Sequence, residues 1–403
     1  MITAMLTSRN LPIGIDFGAS GAKLVQLRQS GSNLSTIAAV RVDADGFEAN
    51  PENPQWMKQL VSAVGRRIRS GEFRGNKCVI SFDDRLLRSR SVRQPRLPDA
   101  EADRAAQLDA PARLGFANAD SCQVGWLRGG EVRQGDELRD ELIYVGAPRE
   151  PIERLVFMLA EEGLCPLAVE PGFVACGRCF SRTYRRAADQ DIVRIVVDVG
   201  LQTTGVMLLR GSSVAFYKQL ELGGRAMTQK AAERLNLDPA TVADLRRQRM
   251  LHEAGLAEPI DPKVDRALYE AVRPMLGDLA HEVKLCTRYY SVTFRGAKPV
   301  ACFVVGGEAC EPRLVNFLRD ELQVETSVGR PLADLPAARG STWARRRASD
   351  ERRGTGTEWA VGAGLSMRLA HNPKRRVTHR IEDVPSMVPE TGPQAAAPRK
   401  EAA

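Results

Sequence analysis

Apolar and polar positions follow a pattern that this chain carries twice. Ile13-Gly14-Ile15-Asp16-Phe17-Gly18-Ala19-Ser20-Gly21 runs into Lys23-Leu24-Val25-Gln26-Leu27. Ile195-Val196-Val197-Asp198-Val199-Gly200-Leu201-Gln202-Thr203-Thr204 runs into Gly205-Val206-Met207-Leu208-Leu209. Each copy reads as a β-branched strand, an Asp-x-Gly turn with small polar residues, and a second apolar strand. The aspartates are 198 − 16 = 182 residues apart, a domain-sized interval. The pattern predicts an α/β chain of two similar lobes, each opening with a hairpin.

Between the copies, residues 77–82 and 86–92 read as strands. Pro98-Asp99-Ala100-Glu101 starts a helix, its acids placed for the helix dipole, that is expected to stop before Pro111. A short strand at Leu142–Val145 follows. Ile152, Leu155, Val156 and Leu159 then repeat at helical spacing. Residues 80–148 thus read as a small α+β insert within the first lobe. In the second lobe, helices are expected at 226–235, from Asp238-Pro239, over 267–290 with a bend at Pro274, and at 312–322. Val300–Val305 reads as a buried strand entering Gly306-Gly307, and 359–369 as a closing helix packed through Ala360, Gly362, Ala363 and Gly364. From His371 the chain is Pro- and Ala-rich without periodicity, the pattern of a disordered tail.

Composition narrows the classes. The 403 residues are 43% hydrophobic and 27% charged, which suits two or three globular domains. No run of 18 apolar residues exists and the start carries no signal-peptide pattern, so a cytosolic protein without a transmembrane segment is expected. The net charge is +8, and most of the surplus sits in two places. Residues 337–354 hold six Arg against Asp350 and Glu351, and the segment from His371 holds six Lys/Arg against four acids. No aromatics interleave with these cations, so no nucleic-acid surface is expected, and a solvated loop and tail explain them. Of the eight cysteines only Cys176-Gly177-Arg178-Cys179 forms a C-x-x-C, without a second pair or spaced histidines. Small residues on a packed helix face account for it better than a metal site.

The chemistry of the two turns is specific. Glycine lets the backbone approach a ligand closely, and turn amides form an anion-binding concavity. Gly18, Ala19, Ser20 and Gly21 in the first turn, and Gly200, Thr203 and Thr204 in the second, are therefore candidate phosphate contacts. The three hydroxyls could equally cap turns. Lys23 supplies a point charge for the β- and γ-phosphates, or snorkels at the surface. Asp16 and Asp198 are placed to hold Mg²⁺ through its waters. Gly306-Gly307 after a buried strand offers a flat backbone for a nucleotide base. No G-x-x-x-x-G-K-[ST] occurs, so the P-loop solution is absent.

This set resembles the actin-like ATPase superfamily, which includes actin, the large heat-shock chaperones, sugar kinases and FtsA. Asp16–Lys23 is similar to its first phosphate loop, Asp198–Thr204 to its second, and Gly306-Gly307-Glu308 to its adenosine loop. Within the superfamily the likeness is strongest to the PilM family of type IV pilus assembly, over most of residues 11–369. It rests on Gly14–Gly18 followed by Lys23-Leu24-Val25, on Val169-Glu170-Pro171, on Gly223-Gly224-Arg225-Ala226-Met227-Thr228, on Arg288-Tyr289-Tyr290, and on Ala360–Arg368.

The resemblance implies a duplicated, two-lobed actin-like (ribonuclease H-like) ATPase fold with a 1C-type insert, binding ATP and Mg²⁺ with weak or no hydrolysis. It divides the chain into 1–79 (1A), 80–148 (1C-like insert), 149–190 (lobe 1 return and connecting segment), 191–222 (2A), 223–298 (2B), 299–370 (2A return, adenosine loop and closing helix) and 371–403 (tail). It places Gly223, Gly224, Lys230 and Glu233 beside the adenosine and gives Glu170 the attacking water. Solvated helix charges and a lobe-linking carboxylate are the competing explanations for Lys230, Glu233 and Glu170. A groove between lobe 1 and the insert is implied to take the short cytoplasmic tail of an inner-membrane PilN-like partner, keeping the protein peripheral to that membrane. Self-association and contacts with other pilus or secretion components fit the same resemblance. A small-molecule kinase, an FtsA-like polymerising protein and a nucleotide-free scaffold are the alternatives on this fold.

Overall fold

The computed structural model describes residues 8–43, 53–182, 184, 186–341, 343 and 354–370. In chain order the strands of the first half are β1 (Arg9–Gly18), β2 (Gly21–Ser30), β3 (Asn33–Asp43), β4 (Lys77–Ser81), β5 (Arg88–Pro95), β6 (Cys122–Gln134), β7 (Glu137–Pro148) and β8 (Cys165–Val169). Those of the second half are β9 (Val193–Val199), β10 (Thr204–Arg210), β11 (Ser213–Leu220), β12 (Ala301–Val305) and β13 (Thr326–Val328). The helices are α1 (Pro54–Arg69), α2 (Asp99–Arg113), α3 (Arg149–Glu161), α4 (Gly172–Ser181), α5 (Gly224–Leu235), α6 (Pro239–Glu253), α7 (Pro262–Phe294), α8 (Leu314–Leu322) and α9 (Ala360–Ser366).

The duplication is a property of the sheets. Lobe 1 has the order β3-β2-β1-β4-β8 and lobe 2 the order β11-β10-β9-β12-β13. In both, the aspartate-bearing strand pairs antiparallel with the next strand of its hairpin and parallel with a later strand. The apolar stretches Ile13–Phe17 and Ile195–Val199 lie centrally and are buried on both faces, which is why they read as near-continuous hydrophobic runs. A third sheet, β5-β7-β6, carries α2 and forms the insert. It also reaches lobe 2, because Tyr289 of α7 donates to Glu141 Oε1 at 3.2 Å and Arg93 Nη2 donates to Thr293 Oγ1 of α7 at 3.5 Å.

Helix starts follow local chemistry. Asn53, Asp238 and Asp261 each accept hydrogen bonds from backbone amides of the first turn, and each is followed by proline, the residue that loses nothing at that position. Asp261-Pro262 therefore starts α7 earlier than the expected 267, and Pro274 lies inside the helix. α2 likewise continues through Pro111 to Arg113. Its proline falls in the last turn, and the carbonyl it leaves without a partner belongs to exposed Gln107, where water can serve. β7 is longer than the expected 142–145, because its polar first half pairs with β6. The tail from His371 and most of the Arg-rich stretch, 344–353, lie outside the described residues.

α9 closes the molecule through glycines. A side chain on Gly14 would overlap the Gly362 carbonyl, and one on Gly364 would overlap the Ala175 carbonyl of α4. Ser366 Oγ donates to Pro12 O at 2.8 Å and accepts from Leu27 N at 3.1 Å, fixing α9 to lobe 1.

Candidate functional site

The two Asp-x-Gly turns and the ends of β4 and β12 meet around one cleft of about 640 Å³, counted out to open solvent. It is lined by Asp16, Gly18, Ala19, Ser20 and Lys23 from the first turn, and by Asp198, Gly200 and Thr203 from the second. Gly306 and Gly307 complete the other side.

Strand register explains the first turn. Asp16 and Lys23 are directly paired residues of β1 and β2, so their side chains share a face, and Lys23 Nζ lies 3.4 Å from Asp16 Oδ2. The seven-residue spacing is the hairpin's own geometry. Asp16 is also opposite Ser81 of β4, whose Oγ donates to Asp16 Oδ1 at 2.7 Å. In lobe 2 the residue opposite Asp198 is Gly205, so this carboxylate has no cation of its own. Gly306 follows Val305, the residue paired with Asp198. Its φ of +98° is the glycine region, and a Cβ there would sit 2.5 Å from Asp198 Oδ1. Glycine at 306 is what lets this loop lie over the aspartate.

Asp84, at the end of β4, also lines the cleft and is a residue that sequence reasoning missed. Its neighbour Asp83 is committed to Arg85, which donates to it at 2.9 and 2.8 Å. Burial pushes the Asp84 carboxyl well above the usual range, and Asp198, Asp16 and Asp83 add to the shift against Lys23. Burial and Asp16 likewise push Asp198 up to about 6. The signal for Asp84 lay in the duplication itself. If Gly306-Gly307 after β12 faces the cleft, the residues after the equivalent strand β4 must face it too.

The shift of Asp198 has a stability consequence. A carboxyl raised in the folded state favours folding while protonated, and that contribution is lost as pH rises through the folded value. Stability of the metal-free protein should therefore fall between about pH 4 and pH 6 on account of this group. Asp198→Asn removes the penalty. It should stabilise the protein at pH 7.5 by about 1–2 kcal/mol, discounted for the part of the carboxyl that meets solvent. The gain should vanish near pH 4, as read from urea unfolding at both pH values.

Several residues expected at the site lie elsewhere. Thr204 is buried and donates to Leu222 O at 2.6 Å, because its strand position points it into the core. Gly223 and Gly224 buttress the second turn from behind. The amides of Gly224 and Arg225 donate to Gly200 O and Leu201 O at 3.0 and 2.7 Å, so this helix start supports the loop and does not line the cleft. Glu308 turns away to Arg246, at 2.8 Å. Lys230 and Glu233 pair with each other at 3.4 Å on an exposed face of α5, as solvated helix charges do. Gly21 ends the hairpin at φ +116° without lining the cleft.

Glu170 is the clearest departure. Its buried carboxylate accepts from Arg178 Nη2 at 2.8 Å and from Arg368 Nη1 at 2.7 Å. Burial alone would raise it, but the two guanidiniums outweigh burial and leave it below the usual carboxylate range. A carboxylate tied to two guanidiniums links α4 and the chain's closing segment, and it does not line the cleft. Cys176 and Cys179 are side chains of α4, and burial pushes both thiols up, Cys179 to about 12, which makes them inert packing groups.

Two sheets of identical order, with hairpin turns that carry aspartates to one central cleft and an α+β insert in the first lobe, define an actin-like two-lobed fold. The sequence profile of the type IV pilus assembly protein PilM matches residues 14–370, and the chain belongs to that family. Among solved structures, the "PilM-PilN type IV pilus biogenesis complex" shares the fold with a TM-score of 0.70 at 20% identity, covering 89% of this chain and 98% of that one. The ethanolamine utilization protein EutJ from Carboxydothermus hydrogenoformans is more distant, at a TM-score of 0.49 and 12% identity over 89% of this chain and 90% of that one. No curated protein matches the chain in sequence.

Proposed function

We propose that the cleft binds Mg-ATP and that the bound nucleotide holds the two lobes of a type IV pilus assembly scaffold in one relative setting. The observation that carries this reading is the convergence of Asp16 and Asp198, from the two copies of the turn, on one glycine-lined cleft with Lys23. Asp16, Asp84 and Asp198 crowd beside one lysine, and the upward shifts of Asp84 and Asp198 are what a divalent cation would relieve. The donors are hard oxygens, as Mg²⁺ requires. Among the described residues no group of three or more His, Cys, Asp or Glu side chains is placed to hold a metal directly. Asp16 and Asp198 would hold the ion through its waters, several of which Mg²⁺ keeps, and the ion would neutralise phosphate charge. Gly18, Ala19, Ser20 and Lys23 would take the phosphates from one side and Gly200 and Thr203 from the other. Gly306 and Gly307 would lie against the adenosine.

Glu170, held by two guanidiniums, supports slow or absent turnover. We extend to this chain the PilM–PilN partnership of the similar complex. The cytoplasmic tail of an inner-membrane PilN-like protein would seat between lobe 1 and the insert, keeping this chain peripheral to the membrane. No described helix is long and apolar enough to cross one. Residues 80–148 and 223–298 would act as the 1C-like and 2B subdomains of such a scaffold.

The test is calorimetric Mg-ATP binding and phosphate release on the same sample. Asp16→Ala should weaken binding at least about tenfold, or about 1.4 kcal/mol. Unchanged affinity in that variant would remove the nucleotide site, and fast turnover in the parent protein would favour the small-molecule kinase.

A further inference from the structure

The last turns of α7 expose a face of unusual chemistry. Residues 283–300 contain Lys284, Arg288, Arg295 and Lys298 and neither Asp nor Glu. Val283, Cys286 and Tyr290 are buried, so Leu285, Arg288, Tyr289 and Val292, three and four residues apart, share the opposite face. Leu285 is 41% exposed, Tyr289 42% and Val292 73%, and Val300 just beyond the helix end is 57% exposed. Three acids near this face are each paired with a cation. Glu282 pairs with Lys218 at 3.1 Å, Glu321 with Lys284 at 3.0 Å, and Glu141 with Arg93 at 2.9 Å. Among the described residues, the side chains of Arg288, Arg295 and Lys298 make no ion pair or hydrogen bond.

Single exposed apolar side chains are ordinary on a protein surface, but a group of them interleaved with unpaired cations marks an interaction site. The apolar tips here stand on the outer face of a helix, which suits a broad interface better than a narrow peptide. We propose that this end of lobe 2 is a reversible docking surface for anionic phospholipid membrane. Arg288, Arg295 and Lys298 would meet the headgroup phosphates, while Leu285, Val292 and Val300 enter the headgroup–acyl boundary. Tyr289, tied to Glu141 of the insert, would sit at the interface level. The surface is separate from the nucleotide cleft and does not depend on it.

The experiment is co-sedimentation of the full chain with phosphatidylcholine vesicles, with and without phosphatidylglycerol, at rising salt. Binding should require phosphatidylglycerol and weaken as salt screens it. Each cation near an anionic leaflet is worth about fivefold in binding, so Arg288→Glu/Arg295→Glu/Lys298→Glu should cost about a hundredfold or more. Val292→Asp should also weaken binding while leaving thermal stability unchanged, since its side chain packs on little. Three results would each overturn the assignment: equal sedimentation with both vesicle types, full binding by the triple variant, or loss of binding only when Arg345, Arg346, Arg347, Arg352 and Arg353 are replaced. Capture of an acidic polyglutamate peptide without vesicle binding would move the surface to a protein partner and equally overturn it.

Discussion

Arg246→Ala is expected to destabilise the protein by about 3–5 kcal/mol, the cost of breaking a buried charge pair from one side. Arg246 is fully buried in α6 and donates to Glu308 Oε2 at 2.8 Å, Glu311 Oε2 at 2.7 Å, Gly224 O at 2.7 Å and Thr228 Oγ1 at 2.8 Å. Glu311 also accepts from Arg249 at 2.9 Å, and Arg249 reaches Asp265 of α7 at 2.6 Å. Burial works against the Arg246 charge, yet Glu311 and Glu308 outweigh it and hold the guanidinium protonated. Alanine would strand two buried carboxylates with at most one cation. The deficit should be read from urea unfolding at pH 8. Glu308 follows the Gly306-Gly307 loop directly, so affinity for Mg-ATP should fall in the same variant. A stability equal to that of the parent protein at pH 8 would show that this network does not anchor α5, α6 and α7 to the cleft.

Gly364→Ala is expected to cost about 3 kcal/mol or more through overpacking against backbone. The added methyl would overlap the carbonyl of Ala175, which α4 cannot withdraw without unwinding. Arg178 Nη1 donates to Gly364 O at 2.8 Å, so moving α9 would also loosen the Arg178–Glu170 tie. Gly307→Ala is the control, because nothing lies within 4 Å of a Cβ built there. Thermal unfolding should separate the two: a large loss for Gly364→Ala, and little change for Gly307→Ala, whose methyl would instead narrow the cleft. Comparable melting of Gly364→Ala and the parent protein would disprove the tight packing of α9 on α4.

Elements with local causes are legible in the sequence. The hairpins, the Asp-Pro helix starts, the buried strand before Gly306-Gly307 and the glycine-packed closing helix are each written in consecutive residues. Expectation and structure part where neighbours in space decide the outcome. Pro111 reads as a stop, although in a last turn with exposed carbonyls it is tolerated. The stretch Glu137–Asp140, polar but for Leu138, carries no strand signal, and pairing with β6 makes it one.

The site divides in the same way. By itself the sequence determined the two turns, the Asp16–Lys23 pair and the glycines, because a hairpin's register places paired residues on one face whatever surrounds it. Only the tertiary structure decided which polar groups face the cleft and which neutralise one another. Glu308 meets Arg246 from 62 residues away, and Glu170 meets Arg368 from 198 residues away. A buried charge must find its partner wherever the fold supplies one, and that choice turned the Glu170 and Glu308 carboxylates to arginines instead of the cleft. Asp84 entered it because the fold brought the end of β4 to the cleft, while Asp83 took the neighbouring arginine.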